Sequence, residues 1–202
     1  MQLSSILENI VNDNQLHSKW LNTLSYMENA GAKKISASEH KEEVTLLILK
    51  HAAEEHRHAY YLKKQLAKLD ENLCKTYTNA ELLVPDHTRF YLNTLDVQVC
   101  RYLKKHFSLS GFDLKFAAYL FVTYAIEVRA DELYPIYQQI LTAKASKVTV
   151  KSIILEEEGH LEEMLNQLRE FSPDWEKHAE AIIQIEQQMF NDWMQGLAKV
   201  VN

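Results

Sequence analysis

Residues 48–62 read ILKHAAEEHRHAYYL, and residues 150–164 read VKSIILEEEGHLEEM. Each stretch carries a Glu-x-x-His pair, Glu55 with His58 and Glu157 with His160, set in an apolar stripe of helical period. The first stripe is Val44, Ile48, His51, Glu55, His58, Leu62, Leu69; the second is Val150, Ile153, Glu157, His160, Met164, Leu168. A carboxylate and an imidazole three residues apart project from one helix face, so each pair is a half-site for a metal ion. What makes them informative is placement. A buried carboxylate costs several kcal/mol unless it is paired or metal-bound.

Two more stripes carry an acid in the same way. Residues 15–35 give His17, Leu21, Leu24, Glu28, Gly31, Ile35, and residues after Ser110-Gly111 give Phe116, Leu120, Thr123, Glu127, Ala130, Tyr134. The order along the chain is therefore Glu28, Glu55-x-x-His58, Glu127, Glu157-x-x-His160. One inward acid is commonly a satisfied core group; six such groups together require a common partner.

Outward from these stripes, the chain reads as a series of helices. Its 202 residues hold only four Gly and three Pro, and are expected to fold as a single domain over 1–202. Ala30-Gly31-Ala32 is read as a place where a neighbouring backbone comes close, within a helix that continues to Ile35. Ser36 or Ser38 is taken as the cap of a second helix ending near Leu69. Residues 70–110 hold breaks at Asp70-Glu71-Asn72, Thr78-Asn79 and Pro85-Asp86, then a helix over 88–107, which makes this stretch a long crossover between two hairpins. Pro135 is expected to kink the third long helix. Ser172-Pro173-Asp174 precedes a fifth helix over 174–199, whose apolar face leaves room for a homodimer.

Register tests the set. In an antiparallel hairpin, residues equally far from the loop lie at one level. The midpoint of Glu127 and Glu157 is residue 142, beside the loop expected near 144–146. The midpoint of Glu28 and Glu55 falls between 41 and 42, whereas the expected loop centres near 38, which misplaces Glu28 by up to ~9 Å at 1.5 Å per residue. His17 and Asp13 are the alternative first-helix ligands.

Composition excludes other chemistry. A net charge of −6 provides no basic stripe, so nucleic acid is disfavoured as a partner. Cys74 and Cys100 form no C-x-x-C motif, which argues against a zinc ribbon or a disulfide framework. Residues 1–5 lack a basic region followed by an apolar run, and Phe116 to Ile126 is too short to span a bilayer. A cytoplasmic protein without a membrane partner is the expectation.

The pattern resembles the ferritin-like di-iron carboxylate superfamily, which includes rubrerythrins, bacterioferritins and several oxygenases. The resemblance covers about residues 15–171. It implies an all-α, ferritin-like four-helix bundle (two antiparallel hairpins joined by a long helical crossover) with a C-terminal fifth helix. It also implies two Fe or Mn ions, with Glu55 and Glu157 bridging, Glu28 and His58 completing one site, and Glu127 and His160 the other. Hard carboxylates with imidazoles suit those metals. Asp131 or His51 would support the second nitrogens of His58 and His160. Glu54 and Arg57 are read as surface or supporting charges, and Glu156 and Glu158 as flanking groups. The implied activity is that of an O2-activating oxidase or oxygenase acting on a small organic molecule, with an external electron donor. The alternatives are a ferroxidase, a rubrerythrin-like peroxidase, a tRNA hydroxylase, or a helical scaffold with a vestigial site. An oxygenase needs an apolar pocket, which Phe116, Tyr119, Leu120 and Tyr124 would line. A ferroxidase needs an acidic entry path.

Overall fold

The computed structural model describes residues 2–70 and 72–201, and is all-helical, with no strand among those residues. Seven α-helices follow in order: α1 Leu3–Asn12, α2 Asn14–Ser36, α3 Leu46–Leu66, α4 Pro85–Phe107, α5 Gly111–Ala143, α6 Lys151–Phe171 and α7 Trp175–Val201.

The sequence reading gave no helix before residue 15, yet α1 is present and buries Ile6, Leu7 and Ile10 against α2, α5 and α7. Asp13 separates α1 from α2. Its Oδ1 accepts the backbone N–H groups of Gln15 and Leu16, each at 2.8 Å, and so caps α2. Helix α2 then continues through Gly31. The expected close backbone approach there is not found: a Cβ at Gly31 would meet nothing within 4 Å. The missing side chain opens onto a cavity instead.

The second helix begins later than expected. Neither Ser36 nor Ser38 caps it: Ser36 ends α2, and the Ser38 hydroxyl donates back to Lys34 O at 3.0 Å. His40 Nδ1 then accepts from the backbone N–H groups of Glu42 and Glu43, holding the polar turn 39–43 away from helix geometry. Val44 is consequently outside α3 and 72% exposed. The loop spans 37–45, centred on residue 41, which removes the register conflict for Glu28.

Four helices surround the buried Glu/His cluster. Helices α2 and α3 run antiparallel, with Ser25 Oγ donating to Ala59 O and Lys63 Nζ to Asn22 Oδ1. Helices α5 and α6 do the same, joined near their loop by Gln138 Oε1, which accepts from Val150 N at 2.7 Å. Between the hairpins, α3 and α6 are zipped antiparallel by Lys50–Glu163, Arg57–Glu156 and a Tyr61 hydroxyl on Thr149 O. The α5 helix is not interrupted at Pro135.

Helix α7 is not left with a free apolar face. It buries Ile182, Phe190, Trp193 and Leu197 against α4 and α5, with Trp193 stacked on Trp20 and Tyr91. The argument for a homodimer from that face therefore falls. No single helix among the described residues is long and apolar enough to cross a membrane.

Candidate metal centre

Helical period brings the six residues together. Glu55, Glu127, Glu157 and His160 offer ligand atoms all within 4.8 Å of one another, as do Glu28, Glu55 and His58. The two α3 and α6 acids are central. Glu55 turns Oε2 toward His58 Nδ1 (3.7 Å) and Oε1 toward His160 Nδ1 (3.8 Å). Glu157 likewise places Oε1 at 3.1 Å from His58 Nδ1 and Oε2 at 3.2 Å from His160 Nδ1. Glu127 Oε1 lies 3.5 Å from His160 Nδ1, and Glu28 lies on the His58 side.

His17 and Asp13 are not part of this cluster. His17 Nε2 is hydrogen-bonded to the Tyr137 hydroxyl at 2.6 Å, and Asp13 serves as a helix cap. Glu28 is the member that α2 contributes, held by a hydrogen bond from the Tyr134 hydroxyl.

The histidines are oriented neither by Asp131 nor by His51, but by Glu54, read as a surface or supporting charge, and by Glu156, read as a flanking group. His58 Nε2 lies 2.8 Å from Glu156 Oε2, and His160 Nε2 lies 2.8 Å from Glu54 Oε2. Each acid sits on the opposite helix from the histidine it holds, and Arg57 bridges both carboxylates. Asp131 is exposed and takes no part. His51 is buried but engaged elsewhere, with Nε2 at 2.8 Å from Glu163 and Nδ1 at 2.8 Å from the Tyr119 hydroxyl. What went unread was the pairing of Glu54 and Glu156 across the helices, whose signal is the Glu directly before each motif acid, so that both helices read Glu-Glu-x-x-His. Adjacent helical residues lie about 100° apart, which turns Glu54 and Glu156 onto the seam between α3 and α6.

This arrangement fits a metal. An Nε2–H donated to a carboxylate leaves Nδ1 as the lone-pair nitrogen of neutral histidine, aimed into the cluster. His58 Nδ1 is fully buried with no hydrogen-bond partner, although Glu157 Oε1 lies 3.1 Å away. Such an orphan nitrogen among carboxylates is the atom a cation would satisfy. Substituting Glu54 or Glu156 by Ala should weaken metal binding by about 10–100-fold without altering stoichiometry, measured by chelator competition. Unchanged affinity in both variants would remove these acids from the site.

Without a cation the cluster holds protons. Burial, then the neighbouring Glu55 charge, raise the Glu28 carboxyl well above its ordinary range; burial and Glu157 do the same to Glu127. Glu157 goes the other way. Burial would raise it, but hydrogen bonds from Glu127 and His160 and the adjacent His58 charge outweigh that and hold it ionised. Burial also acts to lower the histidines. The surrounding carboxylates prevail and push His58 up to about 12 and His160 to about 9.

A cavity of about 380 Å³ reaches this cluster from the α2, α4 and α5 side, touching Glu28, Glu55 and Glu127. Tyr119 lines it as expected, but Phe116, Leu120 and Tyr124 do not. Leu120 is enclosed in the core, Phe116 stacks on Phe112, and Tyr124 packs edge-on against Trp175. Its walls come from Leu24, Leu95, Val122, Ile126 and Leu133. The half-exposure of Glu28 thus faces an internal space.

Comparison of the chain with protein-family models, with curated proteins and with solved structures finds no significant match.

Proposed function

We propose that the chain is a ferritin-like four-helix protein that holds two iron or manganese ions and uses them to activate O2 against an apolar small molecule. The observation that carries this reading is the double-facing geometry of Glu55 and Glu157. Each offers one oxygen toward each histidine, and Glu55, with Glu28 and Glu127, borders an apolar cavity. Glu28 with His58, and Glu127 with His160, would complete the two ligand sets, and carboxylate-imidazole donors suit Fe(II) or Mn(II). When bound, such a pair supplies two electrons for O2 reduction, and the organic substrate and an external donor balance the cycle.

The chain's own residues have definable parts. Glu54 and Glu156 fix the histidine tautomers, and the Tyr134 hydroxyl orients Glu28. Glu28 and Glu127 take up protons when their charge is uncompensated and release them when a cation arrives. The apolar walls exclude water and strengthen every electrostatic contact inside. A ferroxidase reading has less support. The acids facing outward at the α3–α6 seam, Glu54, Glu156 and Glu163, are already matched by Arg57, the histidines and Lys50, so no free acidic path leads inward there.

The test is metal content by elemental analysis of protein made with iron and manganese both supplied, followed by O2 uptake. Two metal ions per chain are expected, with loss of most of that metal in Glu55→Ala and His160→Ala. Full metal content in those variants, or none in the parent chain, would end this reading.

A further inference from the structure

The cavity that reaches the cluster has a sided polarity, and that polarity defines a ligand class. Inside, nearly every polar wall group is already engaged by protein. The Tyr91 hydroxyl donates to Glu186, Tyr119 bonds His51, Tyr134 donates to Glu28, and Arg129 is paired with Glu186. Apart from the Thr123 hydroxyl and the cluster carboxylates, a molecule lying there meets carbon. The blind end is closed by Trp193 and Phe190, both buried.

The other end differs. It opens between α2, α4 and α5, where Lys34, Asp96, Cys100 and Lys115 line the cavity and are half-buried or exposed. Lys34 is committed to Asp96 and to Leu92 O. Lys115 makes no ion pair or side-chain hydrogen bond among the described residues. A shallow depression shares Asp96 and Cys100 with this mouth and adds Arg101 and Lys104, both exposed and without an ion pair among the described residues. Three uncommitted cations thus ring the entrance of an apolar channel in a protein whose net charge is −6. Along α5, Lys115 lies twelve residues before Glu127, about 18 Å at 1.5 Å per residue.

We propose that this channel binds a single-chain anionic amphiphile, with its carboxylate or phosphate head at Lys115, Arg101 and Lys104 and its hydrocarbon chain running inward past Gly31 toward Glu127. An apolar body suits walls whose polar groups, Thr123 and the cluster carboxylates apart, are already engaged, since a buried polar group left unpaired opposes binding. The uncommitted ammonium and guanidinium groups supply charge-assisted bonds only at the mouth. Gly31 has open space in place of a side chain on the α2 wall. This inference rests on the proposed function for what becomes of the ligand, not for whether it binds.

The test uses the full chain with Cys74→Ser, which leaves Cys100 at the mouth as the one thiol. Binding of dodecanoate, dodecyl phosphate, octanoate and 1-dodecanol is measured by calorimetry and by protection of Cys100 from a maleimide. Metal content is determined on the same sample. Dodecanoate or dodecyl phosphate should slow Cys100 labelling at least tenfold, and the tighter of the two identifies the head group. Each carbon pair buried should strengthen binding by about tenfold, so octanoate binds far more weakly than dodecanoate. Dodecanol should bind about tenfold more weakly than the anions, and Lys115→Glu should bring the anions down to its level. Gly31→Leu, which fills the channel at a helical site with room for the side chain, should weaken all ligands at least tenfold. Equal binding of dodecanol and dodecanoate, indifference to Lys115→Glu, or binding that survives Gly31→Leu would each overturn the proposal. A chain that takes up metal but binds no amphiphile loses only this inference. One that binds amphiphile with these dependences but takes up no metal loses the proposed function and keeps the site.

Discussion

Glu127→Gln should raise the melting temperature of the metal-free chain by about 6 °C at pH 7, corresponding to about 2 kcal/mol, while abolishing stabilisation by metal. Glu127 is 3% exposed, and its carboxyl is raised well above the ordinary range by burial and then by the Glu157 charge. A group with its folded pKa above its unfolded one takes up a proton on folding. Its cost is absent below the unfolded value, about 4.3, and grows as pH rises toward the folded value. Glutamine has the shape of the protonated acid and can donate to Glu157 as that acid does, but it takes up no proton. The advantage of the variant should therefore vanish near pH 4 and widen toward pH 7. Metal reverses the order. A cation that binds only the folded parent chain adds about 4 kcal/mol at a concentration a thousand times its Kd, and the variant lacks a ligand charge to hold it. Since binding must expel protons from Glu127 and Glu28, parent-chain affinity should also rise about tenfold per pH unit for each proton released. Melting curves with chelator and with Mn(II), at pH 4 and pH 7, decide the matter. A variant less stable than the parent in chelator at pH 7 would show that Glu127 is not carrying a proton.

The same physics explains how much of the candidate site was legible. Glu28, Glu55, His58, Glu127, Glu157 and His160 were readable because a helix repeats every 3.6 residues, so an inward acid shows itself as a break in an apolar stripe. Residues one step off a stripe carry no such mark. Glu54 reads equally as a surface or a supporting acid, and Glu156 as a flanking one, until α3 and α6 are set side by side. Helix ends were harder still. The start of α3 is decided by His40 accepting two backbone N–H groups, a local contact that competes with the Ser36 and Ser38 caps and has no periodic signature. The cavity was not legible in place. The large apolar members of the α5 stripe, Phe116 and Leu120, do not line it, and its walls depend on how α4 crosses between the hairpins, leaving Leu120 in the core and bringing Leu95 to the cavity wall.

Arg129→Ala should lower the stability of the chain by about 4 kcal/mol, or about 12 °C in melting temperature, the largest loss expected from any single substitution outside the cluster. Arg129 follows Glu127 by two residues and points instead toward α7. Its Nε and Nη2 donate to Glu186 at 3.0 and 2.7 Å, and its guanidinium lies 3.8 Å from the centre of the Phe190 ring. Glu186 is 1% exposed. Removal of Arg129 leaves that carboxylate without its counter-charge, with Tyr91 as its remaining hydrogen-bond donor among the protein groups at 2.7 Å. The loss comes from the abandoned charge rather than from the pair's own strength, because desolvating two ions offsets most of their attraction. Replacing both partners, Arg129→Met with Glu186→Met, should therefore recover to within about 2 kcal/mol of the parent chain. A double variant as unstable as the single one would refute that account and assign the loss to packing around Phe190. The pair also bears on function. Arg129 and Phe190 both wall the blind end of the cavity, so the link that seats α7 on α5 closes the apolar channel behind the Glu/His cluster. In the double variant the channel should stay closed and keep its ligand affinity; in Arg129→Ala, water admitted beside Glu186 should weaken apolar ligands even at temperatures where the chain remains folded.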